Sequence, residues 1–422
     1  MSYHNPVKET LSQDRLKQEQ LELLVKQLKY VYRSNRVFRK NFDDAGFVPS
    51  EVSSLSDIAK APFMDKAILR DNYPLNLCCV RKEDIREMHM SSGSTGVPVV
   101  MPYTAYDLAQ WAECMARCYR MAGAETGAPV QITPSFGLFN GGFGMYHGAR
   151  AAELFIIPAG AGNTGKQLKL ATDFKTQILM GVVSYGLHIM EVVAETGMEL
   201  PDLKIGIFGA EVFSDAMKKK ISAGLGIEVF DIYGMTETGG VGTLGMDCCE
   251  HNGIHLWEDH YLAEVINPIT LEPVPDGVEG ELVVTSLTRQ ALPVIRFRTG
   301  DLTKVVSREK CGCGRTHLKI SSITGRLDDM LIVKGVNFWP KQIEQALMSL
   351  HGAGSNYQIV LFIENSITNL RVNIEANETV SEHQVIAKLK EVLGFSPVVE
   401  VFPVGGLPRQ VGKAVRVFRN ES

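Results

Sequence analysis

No strong charge of either sign marks this chain. It carries 43 Lys and Arg against 48 Asp and Glu, a formal net charge of −5 in 422 residues. That balance argues against nucleic acid as the main partner and against a basic membrane-surface protein. The first twenty residues, MSYHNPVKETLSQDRLKQEQ, hold no apolar h-region, so no secretory leader is expected. A spanning helix is missing too. The 24 uncharged residues between Glu125 and Arg150 include six glycines and two prolines, which suits a buried strand entering a glycine-rich loop. Internal repeats and low-complexity tracts are absent. The expectation is a soluble, cytoplasmic protein with no nucleic-acid and no membrane partner.

The length predicts two or three domains. With 45% apolar and 22% charged residues the composition is that of a globular protein, and its core needs no disulfide staples. Of eight cysteines, six form close pairs: Cys78/Cys79, Cys248/Cys249 and Cys311/Cys313. In the cytosol such pairs suggest metal ligands or free thiols before disulfides. Cys114 and Cys118 sit four apart on a predicted helix and read as core packing.

Apolar spacing predicts a helix over 12–34 and a second from Asn35 to Ala45, stopped by Gly46. From about residue 85 strands and helices alternate, the rhythm of an α/β domain with much parallel sheet. After Gly240 short strands separated by Pro/Gly/Asp turns suggest an antiparallel, β-barrel-like subdomain over about 241–326. Residues 328–422 read β, α, β, β, α, β, a plausible separate α+β unit. The predicted fold is therefore a large multi-part domain over 1–326 and a small mobile one over 327–422.

Several segments carry chemistry. Ser91-Ser92-Gly93-Ser94-Thr95-Gly96 follows a predicted strand and can turn N–H and O–H groups toward an anion, though alone it equally suits a solvated hairpin. Gly160 to Lys166 matches GxxxxGK, but Gln167 stands where a phosphate loop needs Ser or Thr, so an ordinary strand-to-helix turn is expected. Asp231-Ile232-Tyr233-Gly234-Met235-Thr236-Glu237 brings an aromatic ring, a hydroxyl and a carboxylate to a strand end. Open α/β sheets bind ligands at such edges, although Thr236 and Glu237 would also serve as a helix start. Three further segments, RFRTGD at 296–301, GRLDDM at 325–330 and LPRQVGK at 407–413, are individually unremarkable turns.

Their order is informative. The Ser/Gly loop, FGAE, YGMTE, RTGD, GRLDD and PRxxGK together resemble the AMP-forming acyl-adenylate superfamily. FMDKAILRDNYP, SSGSTGVP, GLFNGG, FGAEVFS, IHLWEDH, GELVVTSLTRQALPVIRFRTGDLT and GRLDDMLIVKGVNFWPKQIE narrow that to a resemblance to the phenylacetate–CoA ligase family, across about residues 8–418.

The resemblance implies an ATP-dependent acid–thiol ligase that makes acyl-AMP and passes the acyl group to CoA. Ser91, Ser92, Gly93, Ser94, Thr95 and Gly96 would form the loop for ATP. Gly209, Ala210, Glu211, Asp231 and Tyr233 would border adenine, Tyr233 by stacking, and Gly234 and Met235 would belong to the same ATP/AMP site. Thr236 would meet the α-phosphate, Glu237 would hold Mg²⁺, and Asp301 would bind the ribose with Arg326 beside it. Asp328 would be the hinge, and Lys413 the catalytic lysine of adenylation. Val97 stands where relatives often have Lys or Arg, so triphosphate binding would lean on other groups. Phe136, Phe139, Gly141 and Gly142 are candidates for an aryl-acid pocket.

Some relatives carry a matching CxC with an upstream Cys and His, which selects Cys248, His255, Cys311 and Cys313 for a structural Zn²⁺. Cys249, His251 and His317 compete for those places. The partners implied are a small carboxylic acid, ATP and CoA, with a homodimer possible. A carrier-protein thiol or cofactor hydroxyl as acceptor, and a non-catalytic nucleotide sensor, stay open as alternatives.

Overall fold

A computed structural model describes residues 2–91, 97–211, 213–333, 336–364, 367–408 and 415–420. The fold divides into two compact units. One comprises Met1–Gly181, Leu200–Ala210 and Phe230–Ser322, the other Val182–Glu199, Glu211–Val229 and Ile323–Ser422. Two segments from the middle of the chain, Val182–Glu199 and Glu211–Val229, group with Ile323–Ser422.

In the first unit the helix Gln13–Ser34 buries Leu16, Leu24, Leu28 and Val31, the stripe expected of helical spacing. Asn35 ends it and caps the next helix, Arg36–Asp44, accepting the Val37 N–H at 2.8 Å. The main sheet has nine strands. From one edge they run Val305–Ser307, Lys319–Ile320, Ile254–Leu256, Gly240–Asp247, Glu228–Met235, Ile205–Gly209, Ile178–Val182, Pro129–Ile132 and Phe155–Ile157. Pro129–Ile132 pairs in parallel with both of its neighbours. Its strands are almost continuously buried, as expected where helices cover both faces.

The segment after Gly240 does not close into a barrel. Gly240–Asp247, Ile254–Leu256, Lys319–Ile320 and Val305–Ser307 extend the main sheet antiparallel. Tyr261–Ile266, Gly280–Ser286 and Phe297–Thr303 form a small antiparallel sheet instead. Gly240–Asp247 is buried along its whole length, and its backbone groups find partners in Glu228–Met235 on one edge and Ile254–Leu256 on the other. The GxxxxGK segment is a helix start: Asn163, in the left-handed region, accepts the Lys166 N–H, and Gln167 donates to the Gly160 carbonyl.

The second unit holds the antiparallel pair Ala353–Glu364 and Ile367–Ala376, flanked in parallel by Val417–Asn420 and Val398–Phe402. Helices Pro340–Met348 and Glu382–Leu393 pack Ile343, Leu347, Val385 and Leu389 onto it. The helices Val183–Thr196 and Asp215–Leu225 join the same unit, and Lys220 donates to the Ala353 carbonyl at 2.9 Å.

Candidate active site and metal centre

In the first unit, the central strand Glu228–Met235 carries Asp231, Tyr233, Gly234 and Met235 toward its carboxyl end, and a 3-10 turn begins at Thr236. Tyr233 Oη donates to Asp301 Oδ2 at 2.6 Å, so residues 68 apart in sequence meet in buried surroundings. The Asp231 backbone N–H donates to Asp247 Oδ1 at 2.8 Å, which fixes this part of the strand. Thr236 Oγ1 accepts from the Asn140 side-chain amide at 2.8 Å, and both residues are buried. Glu237, also buried, has Oε1 at 3.9 Å from Lys66 Nζ. Two glycines are sterically required. A Cβ on Gly209 would lie 2.4 Å from the Ile232 carbonyl, and one on Gly234 2.2 Å from the Gly240 carbonyl. Ala210 follows at φ +65°, a left-handed turn at the strand end.

Ser91 closes a hairpin: its N–H donates to the Val99 carbonyl, and its Oγ accepts the Val99 N–H, each at 2.9 Å. Ser92, Gly93, Ser94, Thr95 and Gly96 lie outside the described residues, as does Lys413. In the second unit Glu211 accepts from Ser184, at 2.7 Å from its N–H and 2.9 Å from its hydroxyl. Arg326 grips Asp328 with two bonds of 2.9 and 3.0 Å, and its carbonyl accepts from Trp339 Nε1.

Phe136 and Phe139 are half-buried, and Gly141 and Gly142 open the helix Gly141–Ala151. Gly142 allows close chain approach, since a Cβ there would sit 2.7 Å from the Ser135 carbonyl. Phe136 meets Phe143 edge-on at 5.5 Å and Tyr146 at 6.3 Å. His147, one residue on, shares Glu87 with His89, at 3.2 and 2.7 Å. Burial pushes the Glu87 carboxyl up, but the two imidazoles outweigh it and hold it at about 2. Asn140, Lys66, Phe143, Tyr146, His147 and Glu87 were not singled out in the sequence. The i, i+3, i+4 spacing of Phe143, Tyr146 and His147 was the available signal for three of them.

The cysteine and histidine candidates separate cleanly. Cys248, His255, Cys311 and Cys313 are buried, with ligand atoms all within 4.8 Å of one another. Cys249 is exposed, and His251 bonds Asp247 Oδ2 at 3.1 Å. His317 receives the Glu258 N–H on Nδ1, which leaves its Nε2–H to donate to the Lys8 carbonyl at 3.0 Å. The Cys248 and Cys311 sulfurs are 3.8 Å apart, and Cys313 Sγ is 3.5 Å from His255 Nε2. A zinc ion with tetrahedral bonds of about 2.3 Å to S and 2.05 Å to N sets edges of about 3.8 and 3.6 Å. The donor set therefore fits that ion, and the sulfur separation is far beyond a disulfide bond. His255 Nδ1 bonds the His317 carbonyl at 3.1 Å, which turns the lone pair of Nε2 toward the thiols. A second trio, Glu113, Cys114 and His260, also draws together, but Arg117 and Asn5 already engage its carboxylate.

The Tyr–Asp pair, the buried threonine and the buried carboxylate are residues that the resemblance to the acyl-adenylate superfamily singled out. In agreement, residues 9–288 match the AMP-binding enzyme family and residues 335–420 its C-terminal domain. The chain belongs to the phenylacetate–CoA ligase family within it. It is 40% identical over 423 residues to a phenylacetate–coenzyme A ligase of Pseudomonas putida, covering 97% of this chain and 95% of the relative. With the Escherichia coli enzyme of the same name it shares 38% over 424 residues, covering 97% and 96%. Among solved structures it resembles 2-hydroxyisobutyryl-CoA ligase in its postadenylation state, in complex with 2-HIB-AMP. That likeness has a TM-score of 0.91 and 27% identity over 99% of this chain and 92% of the other. The chain is accordingly an AMP-forming acid–CoA ligase. No described helix is long and apolar enough to cross a membrane.

Proposed function

We propose that the acid is an aryl or arylacetic acid of the phenylacetate type, activated with ATP to acyl-AMP and pyrophosphate and then joined to CoA. The observation that carries this is the Phe136–Phe143–Tyr146 ring cluster, reached through the same turn that holds Asn140 against Thr236. Ring edges and faces favour an aromatic acid over a short aliphatic one. The names of the full-length relatives point the same way.

In this reading Tyr233 lines adenine and Asp301 takes the ribose hydroxyls, each oriented by the bond between them. Thr236 donates to the α-phosphate, with Asn140 holding its hydroxyl. Glu237 would hold Mg²⁺, which when bound offsets phosphate charge. Lys66 supplies a cation where Val97 offers none. The Ser91–Gly96 loop, Gly209, Ala210, Glu211, Gly234, Met235 and Arg326 complete the nucleotide site, and Asp328 is the hinge of a mobile C-terminal domain over 327–422. Lys413 neutralises charge at the α-phosphorus as the carboxylate attacks. The expectation is that Lys413→Ala loses at least ~100-fold in acyl-AMP formation and keeps thioester formation from synthetic acyl-AMP. Equal loss in both steps would contradict it.

Cys248, His255, Cys311 and Cys313 hold a structural Zn²⁺. Four protein ligands leave no open position for water, so the ion stabilises rather than catalyses. The eight cysteines, none of them in a disulfide, suit a reducing, cytoplasmic setting. The test of the acid class is a pyrophosphate-release panel of arylacetates, benzoates and short fatty acids. Preference for a short fatty acid would overturn the aromatic reading.

A further inference from the structure

The segment from Ser2 to Gln13 lies across the cysteine knuckle and is tied to it by six hydrogen bonds. Tyr3 Oη donates to the Cys313 carbonyl at 3.1 Å. Arg315 Nε donates to Glu9 Oε2 at 2.7 Å, and its Nη2 donates to the Ser2 carbonyl at 3.1 Å. The Thr316 N–H donates to the Glu9 carbonyl at 3.3 Å, while the Thr316 carbonyl accepts from the Gln13 side-chain amide. His317 donates to the Lys8 carbonyl.

These anchor points belong to the turn that presents the ligands. The Cys311 N–H donates to the Arg315 carbonyl at 2.9 Å, so Arg315 closes the knuckle with its backbone and grips Glu9 with its side chain. His317 likewise faces both ways, its carbonyl orienting His255 and its ring holding Lys8. Glu9 and Arg315 are fully buried, and the other Glu9 oxygen accepts the His4 and Asn5 N–H groups, each at 2.8 Å. A buried ion pair whose remaining valences are filled holds firmly while both partners stay in place. The Tyr3 ring covers the Arg315 guanidinium at 4.9 Å. Gly314 turns at φ +83°, where a side chain is strained, and a Cβ there would lie 2.1 Å from Tyr3 Oη and displace it.

We propose that the segment Ser2–Gln13 is the closure of the metal knuckle, so that Glu9 and Tyr3 set how fast the metal leaves and metal occupancy sets whether the segment stays docked. The proposal rests on the zinc reading above. Metal loss would free the turn 311–317, withdraw its anchor points and release the segment. Undocking the segment would open the thiols to competing ligands.

The test uses the full-length protein as purified, with zinc measured first by elemental analysis. Release is then followed with a chromophoric chelator in the wild type, Glu9→Gln and Tyr3→Ala, alongside hydrogen–deuterium exchange over residues 2–13 before and after chelation. Release at least ten times faster in either variant, from protein that still binds one zinc per chain, supports the proposal. So does exchange over residues 2–13 that rises on chelation of the wild type. Tyr3→Ala carries the test should Glu9→Gln fail to fold. Release rates equal to wild type in the folded variants, with exchange unchanged on chelation, would overturn the closure and leave the zinc site standing. Protein that holds no zinc after purification or zinc addition would overturn both.

Discussion

Tyr233 and Asp301 share a hydrogen bond of 2.6 Å between buried side chains from two different sheets. In the proposed nucleotide site one side chain would stack on adenine and the other would accept from the ribose hydroxyls, and the bond limits the freedom of both. A bond to a charged group contributes about 1.5–3 kcal/mol.

Tyr233→Phe keeps the ring and removes that bond. It should raise KM for ATP about tenfold or more, with a smaller change in kcat, because the interaction orients the bound nucleotide. Steady-state kinetics with varied ATP check this. An unchanged KM would make the bond a purely structural contact.

Glu237→Gln and Lys66→Gln should differ in kind. Glu237→Gln should shift the Mg²⁺ titration to higher concentration, since a neutral amide is a poorer ligand for a hard cation. Lys66→Gln should raise KM for ATP and leave the Mg²⁺ midpoint nearly in place. Superimposable Mg²⁺ titrations of Glu237→Gln and wild type would reduce Glu237 to a turn residue.

Cys311→Ser should release about one zinc per chain and lower Tm by about 5 °C or more, while KM for ATP moves little. The three sulfurs and His255 are buried and closely gathered, so in the zinc reading loss of one ligand would weaken the hold of the other three. Retained zinc together with loss of the CoA step would place these thiols in the chemistry instead.

Acid sensitivity has an identifiable contributor in Glu113. Burial pushes its carboxyl up, but His260 and Arg117 more than reverse that and hold it at about 2, against a small opposing effect of Asp259. A depressed carboxyl adds stability above its unfolded value of ~4.3, and that stability is lost as pH falls toward about 2. Glu113→Gln should therefore be less stable at neutral pH, with a shallower loss of stability between about pH 4.5 and 2. Urea midpoints against pH measure this; parallel curves for variant and wild type would remove Glu113 from the acid response.

What the sequence made legible were features written in neighbouring residues. The helix Gln13–Ser34 follows its apolar stripe, and Asp231 to Glu237 does span the end of a strand. The metal candidates were legible as chemistry, and the fold decided among them by burying Cys248 and exposing Cys249. Pairings across long separations were not legible. Asn140 meets Thr236 over 96 residues and Lys66 meets Glu237 over 171, and nothing local in either segment specifies the partner. The antiparallel pairing expected after Gly240 is present, but which sheet each strand joins was not legible. Short strands with turns look alike in sequence whether they close on themselves or extend a neighbouring sheet.

The most direct test of the central claim is the release of AMP from ATP with phenylacetate, measured with and without CoA and matched to thioester formed. The account predicts pyrophosphate release on mixing, AMP release that depends on CoA, and one acyl-CoA per AMP. Pyrophosphate release followed by CoA-independent AMP release, or no arylacetate-dependent pyrophosphate at all, would contradict it.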